Sequence, residues 1–335
     1  MRIILSRTDS IGDVVLTLPM AGFLKQAIPG CTVIFLGRNY TRPVVELCEF
    51  VDEFVEWGPP PKKGGASEKT RLLQELKADV IIHVFPVKEI CRAAKRAGIP
   101  LRIATMGRFY TLFTCNRLLR ISRKNSDLHE AQLNLKMLKS LGIERTFALG
   151  EIGNMYGLTA KMQNAKCKMQ DAKCTIIFHP KSKGSARAWG LENFSGLIDL
   201  LPPEKYNIMV TGTADEAKLM PEFLEKHRDR VTDLTGKLTL PELIKLIASA
   251  DALVAASTGP LHLAAALGIH AIGLYAPMRP IFPKRWAPVG KHAEFLVLDK
   301  TCSDCRKTKD CHCIRAITPE SVADKIIHSL TTPET

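Results

Sequence analysis

No stretch of this chain approaches the roughly 20 consecutive apolar residues that a membrane-spanning helix needs. The opening Met1-Arg2-Ile-Ile-Leu-Ser6 is too short an apolar run for a signal peptide and lacks a small-residue cleavage pattern, so it reads as a buried strand and the chain as cytoplasmic. Neither a Gly-x-Gly-x-x-Gly fingerprint nor a P-loop occurs, which disfavours a dehydrogenase or an ATPase. No Asp-x-Asp pair is present to bridge a metal. Aromatic residues make up only 6%, and no zinc-finger or RNA-recognition pattern appears, so specific nucleic-acid binding is disfavoured. Repeats and low-complexity segments are absent. Acidic residues are short too: 34 against 47 Lys and Arg, a net charge of +13.

What is there is an ordinary globular composition, 46% apolar, over 335 residues, enough for two domains. Short apolar runs alternate with helical patterns. Strand candidates are Ile3–Ser6, Thr32–Leu36, Val80–Val84, Thr175–His179, Asn207–Thr211, Leu253–Ala256 and Ala271–Tyr275. Between them fall helical patterns at Val14–Ala27, Lys69–Leu76, Ala131–Leu141, Glu192–Leu201, Ala214–His227 and Pro241–Ala250. That order predicts α/β architecture with parallel sheets. The pattern lapses between about Glu151 and Lys173, which marks an inter-domain connection; the loop Pro59–Gly65 is expected to be mobile near the first domain's cleft.

The run Arg7-Thr-Asp-Ser-Ile-Gly-Asp-Val-Val15 follows the first strand and enters a helix, with a sharp turn expected at Gly12. Asp13 then stands at the helix entrance, where free backbone N–H groups and the dipole's positive end hold a carboxylate. Its plain reading is an N-cap. Its functional reading is a general base at the carboxyl end of a strand. A second site, Ser257-Thr-Gly-Pro-Leu-His262, follows the run Ala252–Ala256 and opens a strong helix former. Thr258 and Gly259 offer a hydroxyl and backbone N–H groups at a helix N-terminus, an anion site, and His262 in the first turn is placed to reach a phosphate oxygen. Two further turns follow strands. His179–Arg187 carries Ser182, Lys183, Ser185 and Arg187, and Thr211–Glu216 ends in an acid suited either to a ribose hydroxyl or to the helix dipole. Thr235–Thr239 is a third turn, able to border a base. Turns converging at one sheet edge describe a nucleotide site.

Between Lys88 and Lys124 stand ten Lys or Arg residues against one acid, Glu89. Such a run is either a solvated helix face or a seat for a polyanion: nucleic acid, anionic lipid or an acidic glycan.

Several of these segments resemble the ADP-heptose:lipopolysaccharide heptosyltransferases, glycosyltransferase family 9. They are Ser10-Ile-Gly-Asp-Val-Val15, His179-Pro through Trp189 with Leu191-Glu-Asn-Phe194, Gly212 to Glu216, Ser257 through Ala266, and the tail cysteines before Ile317-Thr-Pro-Glu320. The resemblance spans nearly the whole chain in order. It implies a GT-B fold of two facing Rossmann-like, doubly wound domains with a cleft between them. The domains expected are 1–155, binding acceptor, and 172–315, binding the nucleotide sugar, with 316–335 a helix packing back toward the first. By resemblance Asp13 is the catalytic base. Ser182, Lys183, Arg187, Glu216, Ser257, Thr258, Gly259 and His262 bind donor, with Arg187 and the 258–262 turn on the diphosphate and Glu216 near the ribose. Ser257 stands where some members carry Asp, and Arg187 where some carry Lys.

The activity implied is inverting, metal-independent transfer of a heptose from ADP-heptose to an acidic lipopolysaccharide inner-core acceptor, without a cofactor. Ser10, Gly12, Arg92, Arg96 and Arg120 are assigned to the acceptor, and the enzyme is expected peripherally on the anionic inner leaflet. The alternatives are a GT-B transferase using another nucleotide sugar, and a non-catalytic nucleotide-sugar-binding relative. Of ten cysteines, six are scattered and read as buried, reduced small residues. Cys302, Cys305, Cys311 and Cys313 are clustered and offer four thiolates to a structural zinc, at tighter spacing than common zinc ribbons.

Overall fold

Short, wholly apolar runs make buried parallel strands, because a sheet covered on both faces has no solvent side to alternate toward. In the computed structural model, which describes residues 1–59, 65–123, 126–158, 173–182, 184, 186–299, 302 and 310–331, the chain divides into two units, Met1–Thr159 and Ala160–Thr335. In the first unit β1 (Arg2–Ser6), β2 (Thr32–Gly37), β3 (Glu53–Glu56), β4 (Val80–His83), β5 (Leu101–Thr105) and β6 (Arg117–Leu119) pair in the order β3-β2-β1-β4-β5-β6. The second contains β7 (Cys174–His179), β8 (Tyr206–Val210), β9 (Val231–Asp233), β10 (Ala252–Ala256), β11 (His270–Tyr275) and β12 (Ala293–Val297), ordered β12-β11-β10-β7-β8-β9. Every pairing is parallel. Numbered within its own unit, each sheet follows the doubly wound Rossmann order 3-2-1-4-5-6. The α/β expectation holds.

All seven expected strands are present. The five unforeseen ones (β3, β5, β6, β9 and β12) are short or carry charges that blur the apolar run, such as Glu53, Arg102, Arg117 and Glu294. Prolines broke two expected helices. Lacking an N–H, Pro19 starts a new helix, so the expected Val14–Ala27 is Ile11–Val15 followed by Pro19–Ala27. Likewise Pro221 splits Ala214–His227 into Ala214–Ala217 and Pro221–Lys226. Residues 60–64 of the expected mobile loop and most of the inter-domain connection lie outside the described residues.

The second unit's core shows how the tail is used. Trp189 is fully buried, packs edge-on against Phe194 (ring centroids 4.8 Å apart) and donates from Nε1 to the Ile317 carbonyl at 2.8 Å. Cys311, Cys313, Val322, Ala323 and Ile326 join the same core. The last helix, Pro319–Thr331, lies on the helix Leu191–Leu200, and Lys325 pairs with Glu294 of β12. The helix packs its apolar face, Val322, Ala323 and Ile326, into the core of its own unit. Another correction concerns Cys174, which is disulfide-bonded rather than reduced. Cys302 is half-buried; Cys305 lies outside the described residues.

Candidate active site

In each sheet the strand order reverses between two neighbours, β1/β4 and β7/β10; in doubly wound sheets generally, ligands bind outside the carboxyl ends of the strands at such a point. The singled-out segments fall at these points. Arg7–Asp13 leaves β1, Val84 and Phe85 leave β4, His179–Arg187 leaves β7, and Ser257–His262 leaves β10.

At the first switch point the organising residue is Arg7, buried at 2% exposure. Its guanidinium serves three carboxylates. Nε donates to Asp9 Oδ1 at 2.6 Å, Nη2 donates to Asp13 Oδ1, and Nη1 lies 3.6 Å from Glu130 Oε1. Glu130 is equally buried and also pairs with Arg123, which reaches the Val84 carbonyl (3.1 Å) and Asn134 Oδ1 (3.0 Å). Ser10 Oγ donates to the other Asp13 oxygen. Both Asp13 oxygens are therefore positioned while its side chain keeps 19% of its surface open. Burial, with Asp13's charge nearby, pushes the Asp9 carboxyl up against the pull of Arg7.

Two sequence expectations change here. Ser10 is the N-cap, with Gly12 and Asp13 inside the first turn, so Asp13 is not the cap and the chain does not turn at Gly12. A helix of five residues has little dipole to offer, and the carboxylate is held by Arg7 and Ser10 instead of free N–H groups.

The basic run separates by burial. Arg102 and Arg123 turn inward to backbone carbonyls. Lys88, Arg92, Arg96, Arg108, Arg117 and Arg120 are exposed; Lys124 lies outside the described residues. Arg108 stacks over the Phe85 ring at 5.3 Å, and Arg7 approaches the same ring at 5.8 Å, so the basic surface reaches the carboxylate cluster through one aromatic side chain. Beside it stand exposed Met106, Phe109, Leu112 and Phe113, with the two Phe rings 5.1 Å apart.

In the second unit the helix Gly259–Leu267 starts at Thr258, whose extended backbone makes it the N-cap but whose hydroxyl makes no capping bond. That hydroxyl is buried and has no hydrogen-bond partner. A buried orphan hydroxyl costs about 1–3 kcal/mol, which a ligand oxygen would recover. Ser257 bonds the Tyr275 phenol, His262 is buried in the helix, and Gly259 sits at its first position. Ser182 Oγ donates to the Ala186 carbonyl at 3.3 Å and closes its turn; Arg187 is half-buried; Lys183 lies outside the described residues. His179 shares a 3.0 Å hydrogen bond with Thr211 Oγ1, and burial pushes its imidazole pKa down. Glu216 Oε2 accepts from the Thr213 N–H (2.7 Å) and Oγ1 (3.0 Å), a capping box. Arg92, Arg96 and Arg120 stand in the first unit, and the donor-assigned residues stand in the second.

Residue-by-residue reading missed Arg7, Asp9, Phe85 and Glu130. Acids two and six residues after Arg7 were a signal for its partners Asp9 and Asp13. For Glu130 no local signal exists.

The sequence pattern of glycosyltransferase family 9 (heptosyltransferase) matches residues 96–313, about two thirds of the sequence. The chain belongs to this family. It is thus a glycosyltransferase, and several of its relatives are named as lipopolysaccharide heptosyltransferases. Among its relatives, a protein of Haemophilus influenzae named only as a glycosyltransferase is 28% identical over 310 residues, 88% of each chain. Lipopolysaccharide heptosyltransferase 3 of Escherichia coli is 23% identical, covering 82% of this chain and 84% of that one. The solved structure of E. coli ADP-heptose lps heptosyltransferase II superposes with a TM-score of 0.75 at 20% identity over 98% of both chains. At that identity the likeness speaks to fold: this glycosyltransferase has the GT-B architecture of two Rossmann-like units.

Proposed function

We propose that this glycosyltransferase moves a heptose from ADP-heptose to the acidic inner core of lipopolysaccharide, with inversion and without a metal in the transfer step. The observation that carries the reading is the Asp13 carboxylate, partly open and fixed by Arg7 and Ser10 at the carboxyl end of β1. The names of the E. coli relatives support the donor and the acceptor class. In the reaction the acceptor hydroxyl oxygen attacks the anomeric carbon opposite the diphosphate, and its proton passes to Asp13. The sugar–phosphate bond breaks and charge grows on the departing ADP. The Thr258 hydroxyl, the Gly259 N–H, Arg187, Lys183 and His262 would stabilise that charge. Ser182 and Glu216 would border the nucleotide.

Arg92, Arg96 and Arg120 would hold the acceptor's phosphates and carboxylates. Such an acceptor is anchored in lipid, and the exposed Phe109 (77%) and Phe113 (61%) beside basic side chains suit peripheral contact with the anionic inner leaflet.

The test is Asp13→Asn, assayed for transfer from ADP-heptose to a Kdo-bearing lipid A core, with donor affinity measured by calorimetry. Transfer should fall by about 10²–10⁴-fold, with donor affinity nearly unchanged. Wild-type turnover in this variant overturns the base assignment. Turnover by the wild type with UDP- or GDP-sugars but not ADP-heptose overturns the donor.

A further inference from the structure

A buried cluster in the first unit takes no part in the proposed transfer. His83 ends β4, Cys91 lies on the helix Lys88–Arg96, and Cys115 follows the helix Thr111–Thr114. One ligand atom from each lies within 4.8 Å of the other two. His83 and Cys91 have no exposed surface, and Cys115 keeps 8%. Neither ring nitrogen of His83 has a hydrogen-bond partner other than the neighbouring Cys115 thiol. A buried imidazole nitrogen left without a partner costs about 1–3 kcal/mol, which a bond to a metal ion would offset. Ala104, Tyr110 and Leu118 surround the two sulfurs with apolar surface.

We propose that His83, Cys91 and Cys115 form a structural site for a thiophilic divalent cation of the zinc class. Two thiolates and one imidazole are a zinc donor set. With bonds of about 2.3 Å to sulfur and about 2.0 Å to nitrogen, tetrahedral ligand atoms stand under about 4 Å apart, so the cluster need contract by no more than about 1 Å. Thr114 Oγ1, 3.8 Å from Cys115 Sγ, borders the cluster and, with water, is a candidate for the fourth position. Binding releases the thiol protons to solvent and changes no oxidation state. The site would tie β4 to the helices at Lys88–Arg96 and Thr111–Thr114, which carry Arg92, Arg96, Leu112 and Phe113. It therefore stiffens the basic and aromatic surface without touching the reacting atoms.

The experiment measures metal content of the full-length protein, purified under reducing conditions from zinc-supplemented cells and dialysed. Variants are Cys91→Ser/Cys115→Ser, His83→Asn, and a control with the tail cysteines Cys302, Cys305, Cys311 and Cys313 changed to Ser. Zinc should fall by about one per chain in the first two and persist at that level in the control. Because the core variants risk misfolding, metal-stripped wild type is also titrated with Co²⁺. Thiolate-to-cobalt charge-transfer and tetrahedral d–d bands should appear in both the wild type and the tail control. Zinc lost only from the tail variant, absence of those bands from the control, or a Cys91–Cys115 disulfide in non-reducing peptide maps would each overturn the proposal.

Discussion

Arg7→Lys keeps the charge at the centre of the carboxylate cluster and removes the fork. The guanidinium addresses Asp9, Asp13 and Glu130 from three different nitrogens. A single ammonium on a flexible stem cannot meet all three at those positions. Glu130 keeps Arg123, so the full cost of about 3–5 kcal/mol for breaking a buried ion pair does not apply. What is lost is up to two charge-assisted contacts to carboxylates with 27% and 19% open surface. Discounted from about 1.5–3 kcal/mol each for that exposure, they sum to about 2 kcal/mol. For a unit of this size that lowers Tm by about 4–8 °C. Asp13 also loses one of its two anchors, and a displacement near 1 Å at a reacting group costs up to about 10²-fold in rate. The assay is a thermal melt together with kcat and donor affinity. The expected outcome is a lower Tm and a kcat reduced about 10–100-fold, with donor affinity unchanged. Wild-type kcat and Tm in Arg7→Lys would refute the idea that the fork positions Asp13.

Thr258→Val removes a buried hydroxyl without a partner. The free protein should be stabilised by about 0.5–1 kcal/mol in urea melts, while ADP binds roughly tenfold more weakly; tighter ADP binding would contradict a diphosphate contact. At Gly290 an added Cβ would stand 2.2 Å from the Ala265 carbonyl oxygen, so Gly290→Ala must displace the helix Gly259–Leu267. A loss of about 3 kcal/mol in urea unfolding is expected, and an unchanged midpoint would refute it. His179 gives a pH dependence. Its folded pKa lies below the unfolded value of 6.5, so the unfolded chain binds the extra proton first and stability falls as pH drops through about 6.5 and below. The slope of unfolding free energy against pH over that range should flatten in His179→Gln; an identical slope counts against it.

The central strands were legible because β1, β4, β7, β10 and β11 are continuous apolar runs, and burial on both faces requires such runs. Edge strands such as β3 and β6 are short and charged, so nothing local separates them from loops. Helix ends at Pro19 and Pro221 were legible in principle, since a proline's missing N–H acts locally, but apolar periodicity carried across them. In the site, Ser257–His262 read correctly as a strand-to-helix turn because its signal lies within six residues. Asp13's support was only half legible: Arg7 stands six residues away, but Glu130, which helps to hold Arg7, lies far along the chain.

The sequence by itself determined the alternation of strands and helices and the family. Periodicity, turn chemistry and short motifs are properties of neighbouring residues, so they survive without coordinates. Only the tertiary structure decided which carboxylates share Arg7, which members of the basic run turn inward, where the last helix spends its apolar face, and that His83 meets two cysteines in the core. Those outcomes depend on residues tens of positions apart being brought within a few ångströms, and sheet order and burial, not local spacing, set that distance.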